Sequence, residues 1–334
     1  MISLTLPRMP PLFAILKSYF QNNGRLKISI FLAALTLLIL DFNFKGHQKL
    51  QEKVMQPWKG QPTKDGYLAL CIAIQDQHED LREFLVHHYN HMNVSHFYIM
   101  DDRSDPPLST FDDYPIPRSA LTFNHYNEAQ ASESPPGFFQ WWIYNECIRQ
   151  YKDQHTWMGF IDVDEFLEIK TSETFEDILK SLETNKKIGA LSINWRVHTS
   201  AGLLERPESV RQNFTECMDE QLDIERGNKG INRHVKSFVK TQYFTGLYSP
   251  HMFKLKDNAI SVGEDERTFK PGVAWRQPPT WDRIVLHHYA VKSKQEFQAK
   301  LNRWKGEVPR NWEYWDAVHG GTPYSCPEMT RFSP

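Results

Sequence analysis

The stretch WMGFIDVDEFL, residues 157–167, decides how this chain is read. An apolar strand runs there straight into Asp162, Asp164 and Glu165. Aspartate is depleted in strand interiors and costly to bury unpaired. An Asp-x-Asp at the carboxyl end of such a strand therefore points to a hard divalent cation, held by oxygen ligands at the mouth of an α/β sheet. A charged, phosphorylated substrate is expected beside it. In an extended segment, residues two apart point the same way, so Asp162 and Asp164 are expected to reach one ion while Val163 turns into the core.

The flanking sequence supports an α/β domain. Residues 67–74 (YLALCIAI) form an apolar run of strand length, as in a strand buried on both faces. Leu81, Phe84, Leu85 and His88 follow at helical spacing, and residues 96–100 (HFYIM) read as a second buried strand. Strand, helix and strand make a βαβ crossover. A helix is expected over residues 138–151, feeding the strand that ends at Asp162. Thr174 to Asp177 read as a capping box before the apolar face Phe175, Ile178, Leu179 and Leu182. Residues 190–195 read as a further strand. Ser293 to Glu296 cap a last helix with Phe297, Leu301 and Trp304 on one side. The pattern predicts one domain with a mostly parallel, Rossmann-like sheet.

The 334 residues carry a formal net charge of −2, 40% hydrophobic and 13% aromatic residues. That balance leaves no basic footprint for nucleic acid. The first forty residues hold Arg8, Lys17, Arg25 and Lys27 and no acid, before the uncharged run of residues 28–40 (ISIFLAALTLLIL). Basic residues before the run and Asp41 after it predict a single-pass signal-anchor with a lumenal body. The competing readings are a cleaved signal peptide and a buried helix. The expected layout is a cytoplasmic tail over 1–25, a transmembrane segment over 26–44, a polar stem over 45–66 and a lumenal domain over 67–334. Asn93 and Asn213 head glycosylation triplets. Cys71, Cys147, Cys217 and Cys326 allow three pairings into two disulfides, with Cys71 and Cys147 equally readable as free buried thiols.

Asp101 and Asp102 close the second strand as Asp162 closes the later one, so both pairs are expected on the ligand-binding edge of the sheet. Here a resemblance becomes specific. Residues 68–107 (LALCIAIQDQHEDLREFLVHHYNHMNVSHFYIMDDRSDPP) resemble the opening of glycosyltransferase family 92. So do QWWIYNECIRQY, WMGFIDVDEFLEI, VKSFVKTQYFTGLYSPHMF and LHHYAVKSKQEFQAKLNRWKG, in the family's order. Gln75-Asp76 stands where the family has Asn-Glu, and Glu83-Phe84 where it has Glu-Trp, so the chain resembles a fungal-type member.

The resemblance implies a GT-A-like domain that uses a nucleotide-sugar, UDP-sugar favoured, and Mn2+. It implies a metal site at Asp162 and Asp164 with His288 as third contact, and donor-side roles for Asp102, Asp101, Gln140 and Lys236. His251 matches a family position and is assigned to the acceptor side. An inverting transfer needs a carboxylate base, for which Asp265, Glu264 and Glu165 are the candidates. The expected activity is transfer of a sugar, galactose in animal members, to a glycan acceptor. The expected setting is a Golgi-type, type II membrane protein. The rival reading is a non-catalytic glycan-binding or scaffold protein on a degenerate glycosyltransferase fold.

Overall fold

The computed structural model describes residues 66–135, 137–303 and 311–332. Residues 26–44 lie outside them, as do the tail, the stem and Trp304; among the described residues no helix is long and apolar enough to cross a membrane. The strands are β1 (Leu68–Ile74), β2 (His96–Asp102), β3 (Leu121–Tyr126), β4 (Trp157–Phe160), β5 (Glu165–Ile169), β6 (Ile188–Val197) and β7 (Glu216–Cys217). They continue as β8 (Val235–Lys240), β9 (Phe244–Ser249), β10 (Met252–Leu255), β11 (Ile260–Val262), β12 (Ile284–His288) and β13 (Tyr324–Ser325). The longer helices are α1 (His78–Asn90), α2 (Phe139–Tyr151), α3 (Phe175–Glu183), α4 (Lys294–Arg303) and α5 (Trp312–His319).

Among the described residues, nine strands form one sheet in the order β3-β2-β1-β4-β8-β6-β12-β5, with β11 also on β6. The sheet is mostly parallel, as expected, but three pairings run the other way. β8 lies antiparallel between β4 and β6, and β5 pairs antiparallel with β12. β8 thereby delivers the beginning of a strand, Lys236, to the edge where β4 delivers its end. β1, α1 and β2 form the expected parallel crossover. β1 is buried on both faces: Leu68, Leu70, Ile72 and Ile74 pack with Phe84 and Leu85 of α1 on one side. Ala69 and Cys71 pack with Ile143, Tyr144 and Ile148 of α2 on the other. This alternation is the period of two of a strand.

The capping box at Thr174 and Asp177 forms in both directions, and Phe175, Ile178, Leu179 and Leu182 are buried. Ser293 and Glu296 exchange the same pair of bonds ahead of α4. Both cysteine pairs are disulfides, Cys71–Cys147 tying β1 to α2 and Cys217–Cys326 tying β7 to the chain after β13. The free-thiol reading of Cys71 and Cys147 does not hold. Neighbouring helix and strand place those two α-carbons 6.4 Å apart, within bridging range.

Candidate active site

β4 ends at Phe160, and the chain then turns rather than continuing extended. Glu165 N–H donates to the Asp162 carbonyl at 3.0 Å, closing a tight turn over residues 162–165. Asp162 and Asp164 therefore converge because the chain folds back into β5, and Val163 is buried as expected. Gly159 is required in this strand, since a Cβ there would drive into the Phe238 ring of β8 and a Leu70 methyl. The strand end is thus pinned close to β8.

Asp162 Oδ1 accepts from Gln140 Nε2 at 2.9 Å and from the Tyr144 hydroxyl at 3.1 Å, both on α2. Its Oδ2 meets Lys236 Nζ at 2.8 Å. Burial alone would raise the Asp162 carboxyl, but the Lys236 ammonium overrides it and holds the group low. Asp164 Oδ2 is paired with Lys300 Nζ of α4 at 2.5 Å. Burial opposes ionisation there too, and Lys300 holds the group well below the usual carboxylate range. Asp164 Oδ1 faces His288 Nε2 at 3.6 Å, past hydrogen-bond range. Trp195 lies over the His288 ring, with centroids 4.3 Å apart.

Glu165 lies beneath, fully buried. Its Oε2 accepts the Asp162 N–H at 2.7 Å and stands 3.7 Å from Lys236 Nζ, while Oε1 has no hydrogen-bond partner. Burial pushes its carboxyl well up, against the pull of Lys236. Lys236 itself is held up by Asp162 and Glu165 despite its burial. Each aspartate thus has its own lysine, Lys236 for Asp162 and Lys300 for Asp164.

The predicted residues separate into groups. Asp162, Asp164, His288, Gln140 and Lys236 come together. His251 joins them through Lys236: its Nδ1 donates to the Val235 carbonyl at 2.8 Å, so Nε2 carries the lone pair. Burial and then Lys236 push this imidazole down to about 3, so it is neutral. Asp102 and Asp101 lie on the same sheet edge two strands over from β4, about 10 Å at the usual strand spacing. Asp101 is spent on the backbone, accepting from Ser104 N–H at 3.0 Å and Leu108 N–H at 2.8 Å. Asp102 pairs with Arg103 at 2.5 Å at the edge of the sheet.

Glu264 and Asp265 are elsewhere. The Glu264 carboxylate accepts from the backbone N–H groups of Asp282, Arg283 and Ile284, at the start of β12. His288 ends that strand, about 13 Å further along at strand rise. Asp265 is clamped by Arg276 at 2.6 Å. Sequence reasoning missed Lys300 and Tyr144. Both lie in quoted motifs, but helical periodicity marks only the apolar face of a helix, and each acts from the side facing the cluster.

The donor set fits a hard divalent cation. Carboxylate oxygens suit such ions, and an imidazole beside them suits a transition-metal ion. Two ligand atoms about 2.1 Å from an ion at right angles stand about 3.0 Å apart, near the Asp164–His288 gap. Glu165 Oε1 is the orphaned buried acceptor that such charge would engage. Fold and cluster together define an α/β domain whose sheet edge gathers two aspartates, a histidine and two lysines around one point.

The model of glycosyltransferase family 92 matches residues 66–304. The chain belongs to glycosyltransferase family 92. It is 24% identical over 263 residues to a family 92 protein of Arabidopsis thaliana, covering 74% of this chain and 39% of that one. It is 28% identical over 128 residues to a family 92 protein of Oryza sativa subsp. japonica, covering 37% and 20%. A galactan beta-1,4-galactosyltransferase of Arabidopsis thaliana is 43% identical over 44 residues, 13% of this chain and 9% of that one. The chain thus spans well under half of the length of these relatives. A mannosyltransferase from Pyrobaculum calidifontis, solved with GDP-Man and Mn2+, superposes over 80% of this chain and 70% of that one with a TM-score of 0.33 and 15% identity.

Proposed function

We propose that this chain transfers a sugar from a nucleotide-sugar to a glycan acceptor, with Mn2+ or another divalent cation held by Asp162, Asp164 and His288. The observation that carries the reading is the pair of Asp164 Oδ1 and His288 Nε2, brought to 3.6 Å from the turn before β5 and the end of β12, with Asp162 on the same turn. When bound, the cation would neutralise the departing diphosphate. The chain's own residues set up that event. Gln140 and Tyr144 fix the Asp162 carboxylate, and the backbone N–H of Tyr289 ties the Asp164 carbonyl at 2.9 Å. Lys236 and Lys300 then add positive charge for the diphosphate. Asp102, on the same sheet edge, is placed to meet the ribose or base.

A UDP-sugar is the expected donor, and the galactosyltransferase named among the relatives supports galactose as its sugar. The transfer is read as inverting. His251, with its lone pair fixed on Nε2, belongs to the acceptor side. Glu264, committed to backbone N–H groups, contributes through the position of β12, and Asp265 is committed to Arg276. We place the enzyme in Golgi membranes as a type II protein anchored by residues 26–44.

The test is a screen of nucleotide-sugars for donor hydrolysis and for binding, with and without Mn2+, on the wild-type chain and on Asp164→Ala. Metal-dependent binding of UDP or UDP-sugar, lost in the variant, is expected. Nucleotide binding that ignores both metal and Asp164 would sink the reading, and glycan binding without turnover would move the chain to a non-catalytic role.

A further inference from the structure

A second set of ligand-type side chains takes no part in the chemistry above. His198 follows β6, Cys217 ends β7, His287 precedes His288 on β12 and Cys326 follows β13; all four are buried. Neighbours on a strand face opposite ways, so His287 points away from the cluster that His288 joins.

The imidazoles are oriented from outside. His198 Nδ1 lies 2.7 Å from the Phe214 carbonyl, which only accepts, so Nδ1 carries the proton and Nε2 presents its lone pair inward. That Nε2 stands 3.7 Å from Cys217 Sγ, 3.9 Å from Cys326 Sγ and 2.8 Å from His287 Nδ1. The far nitrogen of His287 meets Glu168 Oε2 at 3.0 Å, and Arg331 holds the other Glu168 oxygen at 3.0 Å. Ligand atoms of His198, His287 and Cys326 all lie within 4.8 Å of one another. Imidazoles whose outer nitrogens donate to a carbonyl and a carboxylate are the usual surround of a metal centre. When His287 donates to Glu168, two lone pairs face each other across 2.8 Å. A cation between them removes that repulsion.

We propose that, once the Cys217–Cys326 bond is reduced, these four side chains form a closed tetrahedral site for Zn2+. Bonds of about 2.0 Å to nitrogen and about 2.3 Å to sulfur put N and S about 3.6 Å apart and the two nitrogens about 3.3 Å apart. The His198–sulfur separations already match, and the imidazoles need to part by about 0.5 Å. The two sulfurs, bonded in the disulfide, must separate to about 3.8 Å on reduction, with Cys217 swinging toward His287. Two thiolates cancel the charge of the ion, so its burial is tolerated. A two-electron reductant, a dithiol becoming a disulfide or a phosphine becoming its oxide, breaks the S–S bond and leaves two thiols. Zn2+ then enters as both thiol protons leave, while His198 and His287 keep their outer N–H groups and offer the inner lone pairs. Disulfide and metal use the same sulfurs and exclude each other, so the redox state of the compartment selects between them.

The full chain, oxidised or reduced with a phosphine, is titrated with Co2+ as a spectroscopic probe and then with Zn2+. The reduced chain is expected to bind one Co2+ more than the oxidised chain, with tetrahedral visible bands and a thiolate-to-cobalt charge-transfer band that Zn2+ abolishes; the oxidised chain shows neither band. Cys217→Ser and His287→Ala lose the charge-transfer band. Glu168→Gln keeps all four ligands and weakens binding about 10- to 100-fold. Asp164→Asn leaves the band unchanged, which separates this centre from the carboxylate cluster. Circular dichroism verifies folding, and His198→Gln substitutes for any variant that unfolds. A folded, reduced chain without the thiolate band overturns the proposal, as does a band that survives both histidine changes.

Discussion

Lowering the pH should unfold this protein through histidines remote from both clusters. His87 donates from Nε2 to the Leu167 carbonyl at 2.7 Å, and its Nδ1 accepts from Arg211 at 3.1 Å, so the ring has no place for a second proton. Burial pushes it well down. Burial likewise takes His88 to about 3, and His96 and His155 to about 4. These folded-state values lie below the unfolded value of about 6.5, so the unfolded chain binds more protons and stability falls as the pH drops below 6.5. Between about pH 7 and pH 5.5 each neutral histidine costs a little over 1 kcal/mol, and four cost about 5 kcal/mol. That is comparable to the whole stability of an ordinary domain, about 5–15 kcal/mol. Urea unfolding at the two pH values measures it. His96→Gln should flatten the dependence by a little over 1 kcal/mol across this interval, about 0.8 kcal/mol per pH unit. A stability that changes by less than about 2 kcal/mol over the interval would refute the reasoning.

Other perturbations separate the roles of single groups. Lys236→Met leaves Asp162 and Glu165 buried without their cation and should cost about 3–5 kcal/mol, read by chemical denaturation alongside the loss of turnover. Glu264→Ala should destabilise the protein by about 2 kcal/mol or more, because it strips three backbone donors of their acceptor, while metal affinity of the folded fraction stays at the wild-type value. A fall in metal affinity would return Glu264 to the site. Glu83 accepts from Ser209, from Val210 N–H and from the buried Arg211; Glu83→Gln should lower stability by several kcal/mol without altering nucleotide binding. Reducing Cys71–Cys147, which closes 76 residues of sequence, should lower stability by about 4 kcal/mol, seen as a drop in melting temperature.

By itself, the sequence determined most of the elements and marked the candidate site. β1, α1 and β2 were legible because burial on both sides of a sheet makes continuous apolar runs, and an amphipathic helix repeats every three or four residues. The Asp162–Asp164 pair stood out because carboxylates are out of place at the end of such a strand. The family motifs carried His288, Lys236 and Gln140 with it. The antiparallel insertion of β8 was not legible, since an apolar run does not state its direction. Nor was the fate of the other acids: only the fold shows Asp101 and Glu264 consumed by backbone donors and Asp265 clamped by Arg276. Sequence spacing put Asp162 and Asp164 side by side through an extended strand, where the structure uses a tight turn. Lys300 reaches Asp164 across 136 residues of sequence, and the two cysteines beside His198 are 109 residues apart. Local patterns report which face of an element is buried, whereas which charges and ligands meet depends on contacts between distant segments, set only when the sheet closes.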